Sequence, residues 1–481
     1  MTRDRFLFLC ALLMLPSVAG ASEHAPTNLD LRQSAKVRIT GAWNVASGGD
    51  LNADGSQDVL VSRDSGRGKV WAVFGKASLQ SFHVKDFNEK GFLILGPSED
   101  ALAAQAAGAG DVNGDGLDDV LVGAPRASNG RGARSGVAYV VFGKASTTEV
   151  RLEQFHEQAD STSGFRIDGA NERDFAGQDV SGIGDINHDG LDDILVSAPF
   201  AGRSYVVFGK ESTEPVDLLA FEANVQGTQG FRIDTPTPEF NTDYSVSAAG
   251  DVNDDGTSDV LLGVVASPGA RGSAYVVFGK SDPVPVDVNR SMGQSFRVQG
   301  TYGGSATGYA VSEAGDMNAD GFDDVLIGAP SFYCCGHGAV YLVYGQATTE
   351  VVHLNRLEEK GYKIKAEGTS DKEADILGAS VDSLSDVNGD GIHDALLGAP
   401  GASFKDRDRP GVSYLVFGKP SSSSIRLKSI KGKGIRLIGP RSRLFLGDSV
   451  AALGDLNGDG VPEIAMGNGL TKVFVVWGQL P

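Results

Sequence analysis

The chain is 481 residues long, 41% of them hydrophobic, with a formal net charge of −20 and 65 glycines. The charge excludes a nucleic-acid partner, which requires a basic footprint over the phosphates, and abundant glycine without a collagen period points to many tight turns. Three cysteines in a chain of this size exclude a disulfide scaffold.

The first predicted element is a leader. Arg3, Asp4 and Arg5 precede the apolar stretch FLFLCALLMLPSVAG, which runs into the small residues Ala19-Gly20-Ala21. This pattern predicts a secretory signal peptide over residues 1–21, because the apolar run is too short to span a bilayer comfortably. Residues 22–28 are then a short N-terminal leader and residues 29–481 a single folded unit. No membrane span is expected in the mature chain, so its expected location is secreted or periplasmic, within reach of the cell surface. Cys10 belongs to the signal peptide. The adjacent Cys334 and Cys335 are either two free thiols or a strained vicinal disulfide, since neighbouring Cα atoms lie about 3.8 Å apart, below the usual window of roughly 4.4–6.8 Å.

Next comes a short strand, KVRITG (Lys36 to Gly41), and then one loop pattern written seven times. In the first unit its odd positions are Asp50, Asn52, Asp54, Ser56 and Asp58. The second unit has Asp111, Asn113, Asp115, Leu117 and Asp119; the third has Asp185, Asn187, Asp189, Leu191 and Asp193. The fourth has Asp251, Asn253, Asp255, Thr257 and Asp259; the fifth has Asp316, Asn318, Asp320, Phe322 and Asp324. The sixth has Asp386, Asn388, Asp390, Ile392 and Asp394; the seventh has Asp455, Asn457, Asp459, Val461 and Glu463. Consecutive loops start 61 to 74 residues apart. A fixed period of this kind signals a repeat architecture.

Each loop sits in the same frame of four apolar runs. VSGIG or VSAAG precedes it, DVLVGAP or DALLGAP follows, then a run like AYVVFGK, then GFRIDG. Short runs rich in Val, Ile, Tyr and Phe and punctuated by glycine predict strands. Runs such as YVVF are apolar on both alternating faces, which predicts sheets stacked face to face. Four strands per unit in seven units predict an all-β, seven-bladed β-propeller. The last unit stops at KVFVVWG without a fourth strand, and KVRITG at the other end has no preceding three. The N-terminal strand therefore completes the last blade and closes the ring, a split that an open solenoid does not explain.

The loops carry oxygen ligands only, which suits a hard cation such as calcium, with its six to eight oxygens. In the second loop the side chains of Asp111, Asn113, Asp115 and Asp119 and the carbonyl of Leu117 would converge on one ion, with Gly116 allowing the reversal. An EF-hand is excluded. It needs a glutamate at the twelfth position and flanking helices, whereas the twelfth positions are Val61, Val122, Val196, Leu262, Ile327, Leu397 and Met466. A metal-free acidic turn is the alternative for any one loop.

The GAP tripeptides at Gly123, Gly328 and Gly398, the FG-like openings Phe175-Ala176-Gly177, Leu377-Gly378 and Leu446-Gly447, and the acidic loops together resemble the FG-GAP repeats of integrin α-subunit propellers. The resemblance covers essentially all of the expected mature chain. It departs after the fourth loop, where GVV replaces GAP, and in the first and last units, which carry SRD and GNG. It implies calcium, up to seven ions, with the same ligand roles in every loop. It also implies a role as an adhesion or binding module whose partner is an extracellular or cell-surface protein or glycan. Because such repeats also occur in enzymes such as glycosylphosphatidylinositol-specific phospholipase D, the alternative is a secreted hydrolase, lyase or enzyme accessory with a site in the central funnel. The sequence offers no H-E-x-x-H or G-x-S-x-G for it. FGK at five strand ends reads as structural, not as a phosphate loop. Arg63, Arg67, Arg126, Arg131, Arg134, Arg203, Arg271, Arg407 and Arg409 fall between second and third strands, on the face opposite the acidic loops. They form a candidate anion-binding surface, set against ordinary solvated charge.

Overall fold

Alternating β-branched runs and glycine turns build seven sheets and almost no helix; the longest described helix is Leu218–Glu222, with 5 residues. The computed structural model describes residues 27–63, 67–97, 105–157, 162–222, 229–236, 243–265, 271–290, 293–331, 336–368 and 374–478. The expected signal peptide over residues 1–21 and the Cys334-Cys335 pair lie outside them.

The second blade shows the plan. Ala106–Gly110, Asp119–Ala124, Val137–Val141 and Gly164–Asp168 pair as an antiparallel meander, with Val137 facing Ala124 on one side and Asp168 on the other. Strand direction alternates, so loops between first and second strands share one face of the disc and loops between second and third strands the other. The first strand of each blade packs against the first strands of both neighbours, and the last, Ser449–Gly454, against the first, Asn44–Gly49. These seven strands surround the axis of a β-propeller.

The blades are joined by seven apolar clusters, each shared by two adjacent sheets. Second and third strands are buried on both faces, as the doubly apolar runs predict. Tyr139, Tyr205, Tyr341 and Tyr414 of third strands and Phe92, Phe165, Phe231 and Phe296 of fourth strands are among the largest wholly buried side chains. The GAP and FG glycines set the spacing between blades. A Cβ on Gly123 would lie 2.1 Å from the carbonyl oxygen of Gly177 in the next blade, so no larger residue fits without moving backbone.

Ring closure is as expected: Val37–Thr40 pairs antiparallel with Lys472–Val476, Ile39 opposite Val473. One detail differs. KVRITG is not the outermost strand, because Phe82–His83 adds to it in parallel. Every sheet is five-stranded, and each fifth strand comes from the following unit, where it lies between third and fourth strands. Val216–Asp217 of the third unit thus latches onto the second blade. On the sixth blade this place is taken by Asn28–Asp30, so the N-terminal segment closes the ring with two strands, and Leu31 between them is wholly buried.

The FGK lysines fasten these latches. Lys210 Nζ sits 4.1 Å from the Phe165 ring centroid of the preceding blade and donates to the carbonyl of Glu214, just before the latch strand. Lys144, Lys280 and Lys419 lie in the same way over Phe92, Phe231 and Tyr362.

Candidate metal centres

Each acidic loop is a tight turn held by five hydrogen bonds. In the second loop, Asp111 accepts from the N–H of Asp115 (3.1 Å) and of Gly116 (2.9 Å), and Asp115 accepts from Leu117 N–H (3.0 Å). Asp119 is wholly buried and accepts from Val112 N–H (3.1 Å) and from Gly143 N–H (2.9 Å). Gly143 is the glycine of FGK at the end of the third strand. All five bonds recur in the other six loops, at 2.6 to 3.2 Å. Gly116 takes a φ of +86°, a left-handed conformation that glycine adopts without a Cβ clash.

The predicted ligand positions fall into three layers. Fifth-position aspartates such as Asp54, Asp115 and Asp390 are exposed; first-position aspartates such as Asp50, Asp111 and Asp386 are half-buried. Ninth-position Asp58, Asp119, Asp193, Asp259, Asp324, Asp394 and Glu463 are 0% exposed. Burial pushes the Asp119 carboxyl up to about 8; its two N–H donors oppose the rise, and the charges of Asp115 and Asp111 add to it. By the same causes Asp259 and Asp324 rise to about 8, and Asp58, Asp193, Asp394 and Glu463 to about 7.

Among the described residues no three His, Cys, Asp or Glu side chains gather into a metal-holding group, since first- and fifth-position carboxylates lie on their own loop amides. The donor set nevertheless fits a hard cation. A carboxylate oxygen keeps a second lone pair beyond the one an N–H takes, and among the described residues no ninth-position carboxylate has a basic partner. Asn253 Oδ1, at the third position of the fourth loop, is buried with no hydrogen-bond partner. Desolvated carboxylates facing further carboxylates are stabilised by a proton or, when ionised, by a cation.

The sequence reading missed the eighth loop position. Asp118 Oδ2 accepts from Asp50 N–H of the preceding blade (2.6 Å), and Asp118 N–H donates to Asp50 O (3.2 Å). Asp192 holds Asp111 in the same two ways (2.8 and 3.1 Å), and Asp323 holds Asp251 (2.9 and 3.1 Å). The Asp-Asp doublets at 118–119, 192–193 and 323–324 were the available signal.

The axial channel encloses a cavity of 790 Å³ lined by polar side chains such as Asn44, Gln178, Ser245 and Ser312, by apolar ones such as Val45, Val246 and Val450, and by Asp179 and Asp382. These two carboxylates tie neighbouring inner strands, accepting from Val246 N–H (2.9 Å) and Ala452 N–H (2.8 Å). Burial pushes them up to about 7 and about 6. No described lining residue is a histidine or cysteine.

On the opposite face most of the arginines are engaged within the molecule. Arg131 pairs with Asp217 of the latch strand, Arg407 with Asp30 (2.8 Å), Arg203 with Glu222 and Arg67 with Glu153 (3.5 Å). Arg63, Arg134 and Arg409 stand over the rings of Trp43, Phe175 and Phe445. Arg126 and Arg271 alone of the nine remain exposed without an ion pair or ring contact among the described residues.

A profile of the FG-GAP repeat matches residues 103–141, 176–208 and 307–343, in the second, third and fifth units. The chain is 27% identical over 276 residues to integrin alpha pat-2 of Caenorhabditis briggsae, covering 53% of this chain and 20% of that protein. It is 31% identical over 186 residues to integrin alpha ina-1 of Caenorhabditis elegans, covering 36% and 15%. It is 30% identical over 236 residues to integrin alpha-5 of Xenopus laevis, covering 47% and 19%. The matched region spans a fifth or less of each of these relatives.

Proposed function

We propose that this chain, an FG-GAP repeat protein whose propeller resembles that of integrin alpha subunits, is a secreted or periplasmic binding module stabilised by calcium. The observation that carries the reading is the buried ninth-position carboxylate, repeated in seven loops with the same two N–H donors and facing the same two acidic neighbours. In each loop the side chains at the first, third, fifth and ninth positions and the carbonyl at the seventh would hold the ion. Asp111, Asn113, Asp115, Leu117 and Asp119 are the set in the second blade. The ion would neutralise carboxylates that burial otherwise protonates. Loops of extracellular type bind calcium at roughly 10⁻⁴–10⁻³ M, which suits the location that the leader over residues 1–21 implies.

The partner would be an extracellular or cell-surface protein or glycan, met by loops that a rigid ring presents on one face. Elemental analysis of the purified mature protein is expected to find five to seven calcium ions per chain. Capture from cell envelope and culture supernatant, with calcium and with chelator, tests the binding role. Absence of bound calcium together with capture indifferent to chelator would overturn the proposal.

A further inference from the structure

Neighbouring loops are tied together at most junctions of the ring, and the ties are unequal. Between the first and second, second and third, and fourth and fifth loops the link is double: an eighth-position carboxylate accepts the N–H of the preceding loop's first aspartate, and the eighth N–H donates to that aspartate's carbonyl. From the seventh loop to the first, and from the fifth to the sixth, only the backbone bond exists, Gln57 N–H to Asp455 O (2.9 Å) and His393 N–H to Asp316 O (3.4 Å). Two junctions lack both; the third and fourth loops meet instead through the exposed side chains of His188 and Thr257 (Nε2 to Oγ1, 3.2 Å), which hold neither loop's first aspartate. The eighth residue of the fourth loop is Ser258, whose Oγ would be 3.8 Å from a Cβ placed on Gly184; in the seventh loop it is Pro462, which has no N–H to give.

We infer that the eighth-position aspartates Asp118, Asp192 and Asp323 couple ion binding between neighbouring blades. The loops of Asp50, Asp111 and Asp185 would then fill as one cooperative group, and those of Asp251 and Asp316 as a second. This rests on the calcium reading above and concerns how the ions bind. The reason is mechanical. Asp118 is covalently next to Asp119, so ordering the second loop around an ion fixes Asp118. Asp118 then holds both backbone groups of Asp50, the residue that opens the first loop. An ion entering the first loop meets a backbone already ordered, and avoiding that ordering appears as positive cooperativity. Coupling is reciprocal and typically amounts to roughly 5–150-fold in affinity.

The test uses the full mature protein and calcium alone. Asp115→Asn, at an exposed position outside the links, weakens the second loop. Occupancy of the other loops is read by hydrogen exchange along a calcium titration. Calcium midpoints at the Asp50 and Asp185 loops are expected to rise about fivefold or more, while the Asp251 loop keeps its midpoint. Asp118→Ala should raise the midpoint at the Asp50 loop. Asp118→Asn, which retains an oxygen acceptor for Asp50 N–H, should largely restore it. Unchanged midpoints at the Asp50 and Asp185 loops, with calcium still bound, would overturn the coupling and leave the calcium reading standing. A wild-type protein that binds no calcium would overturn both.

Discussion

Replacing Asp119 by Asn separates the carboxylate's role as a hydrogen-bond acceptor from its role as an ion ligand. The two side chains have nearly the same shape, and the site is wholly buried, with Val112 N–H at 3.1 Å and Gly143 N–H at 2.9 Å. Without calcium at pH 6 the wild-type carboxyl, pushed up to about 8, carries its proton. Wild type then keeps an oxygen towards each amide, whereas the variant turns its NH2 towards one of the two N–H groups, and leaving that donor unpaired should cost about 1–3 kcal/mol. With calcium the wild type supplies a charged ligand, and the variant at most a neutral amide oxygen. One site contributes about 1.4 kcal/mol at a tenfold excess over its dissociation constant and about 2.7 kcal/mol at a hundredfold excess. At roughly 2.1 cal/mol/K of unfolding entropy per residue, a propeller of this length shifts by about 1 °C per kcal/mol. Differential scanning calorimetry should therefore show the variant melting about 1–3 °C below wild type in chelator and falling up to a further ~1–3 °C behind it in calcium. A variant that loses as much stability in chelator as in calcium would refute the reasoning and return Asp119 to a purely structural role.

Acidity should act in opposite directions with and without the ion. The ninth-position carboxyls lie at about 7 to 8 in the fold, above their unfolded values near 4. Their contribution to the metal-free protein is present in full below about pH 4 and lost as pH rises through 7 to 8. Melting in chelator should thus fall between pH 5 and 8, while calcium affinity, which competes with protons, should rise over the same range. Gly123→Ala places a Cβ 2.1 Å from Gly177 O, and denaturant unfolding should register about 1–3 kcal/mol or more of destabilisation. Deleting residues 27–35 uncovers the Gly434–Ile438 strand edge and empties the Leu31 site. Light scattering should then show aggregation that the full chain does not.

The propeller and its seven loops were legible in the sequence because their signals are local. A strand of five apolar residues, a glycine needing positive φ, and carboxylates at fixed spacing within nine residues can all be read without knowing what lies across the fold. Ring closure was legible for the same reason: KVRITG carries the pattern of a fourth strand wherever it stands. The latch strands were not, since two residues such as Val216–Asp217 have no periodicity, and what makes them strands is the exposed edge of the neighbouring blade. The arginines looked like a binding surface because charge is visible in sequence and its partner is not; Arg131 meets Asp217 86 residues away, and Arg407 meets Asp30 across 377. The same limit hid the eighth loop position, whose bonds join residues 68 to 81 apart. Spacing along the chain determines which carboxylates share a loop. Which loops touch, and through which side chain, is decided only when the ring closes and sets the end of one blade's loop against the start of another's.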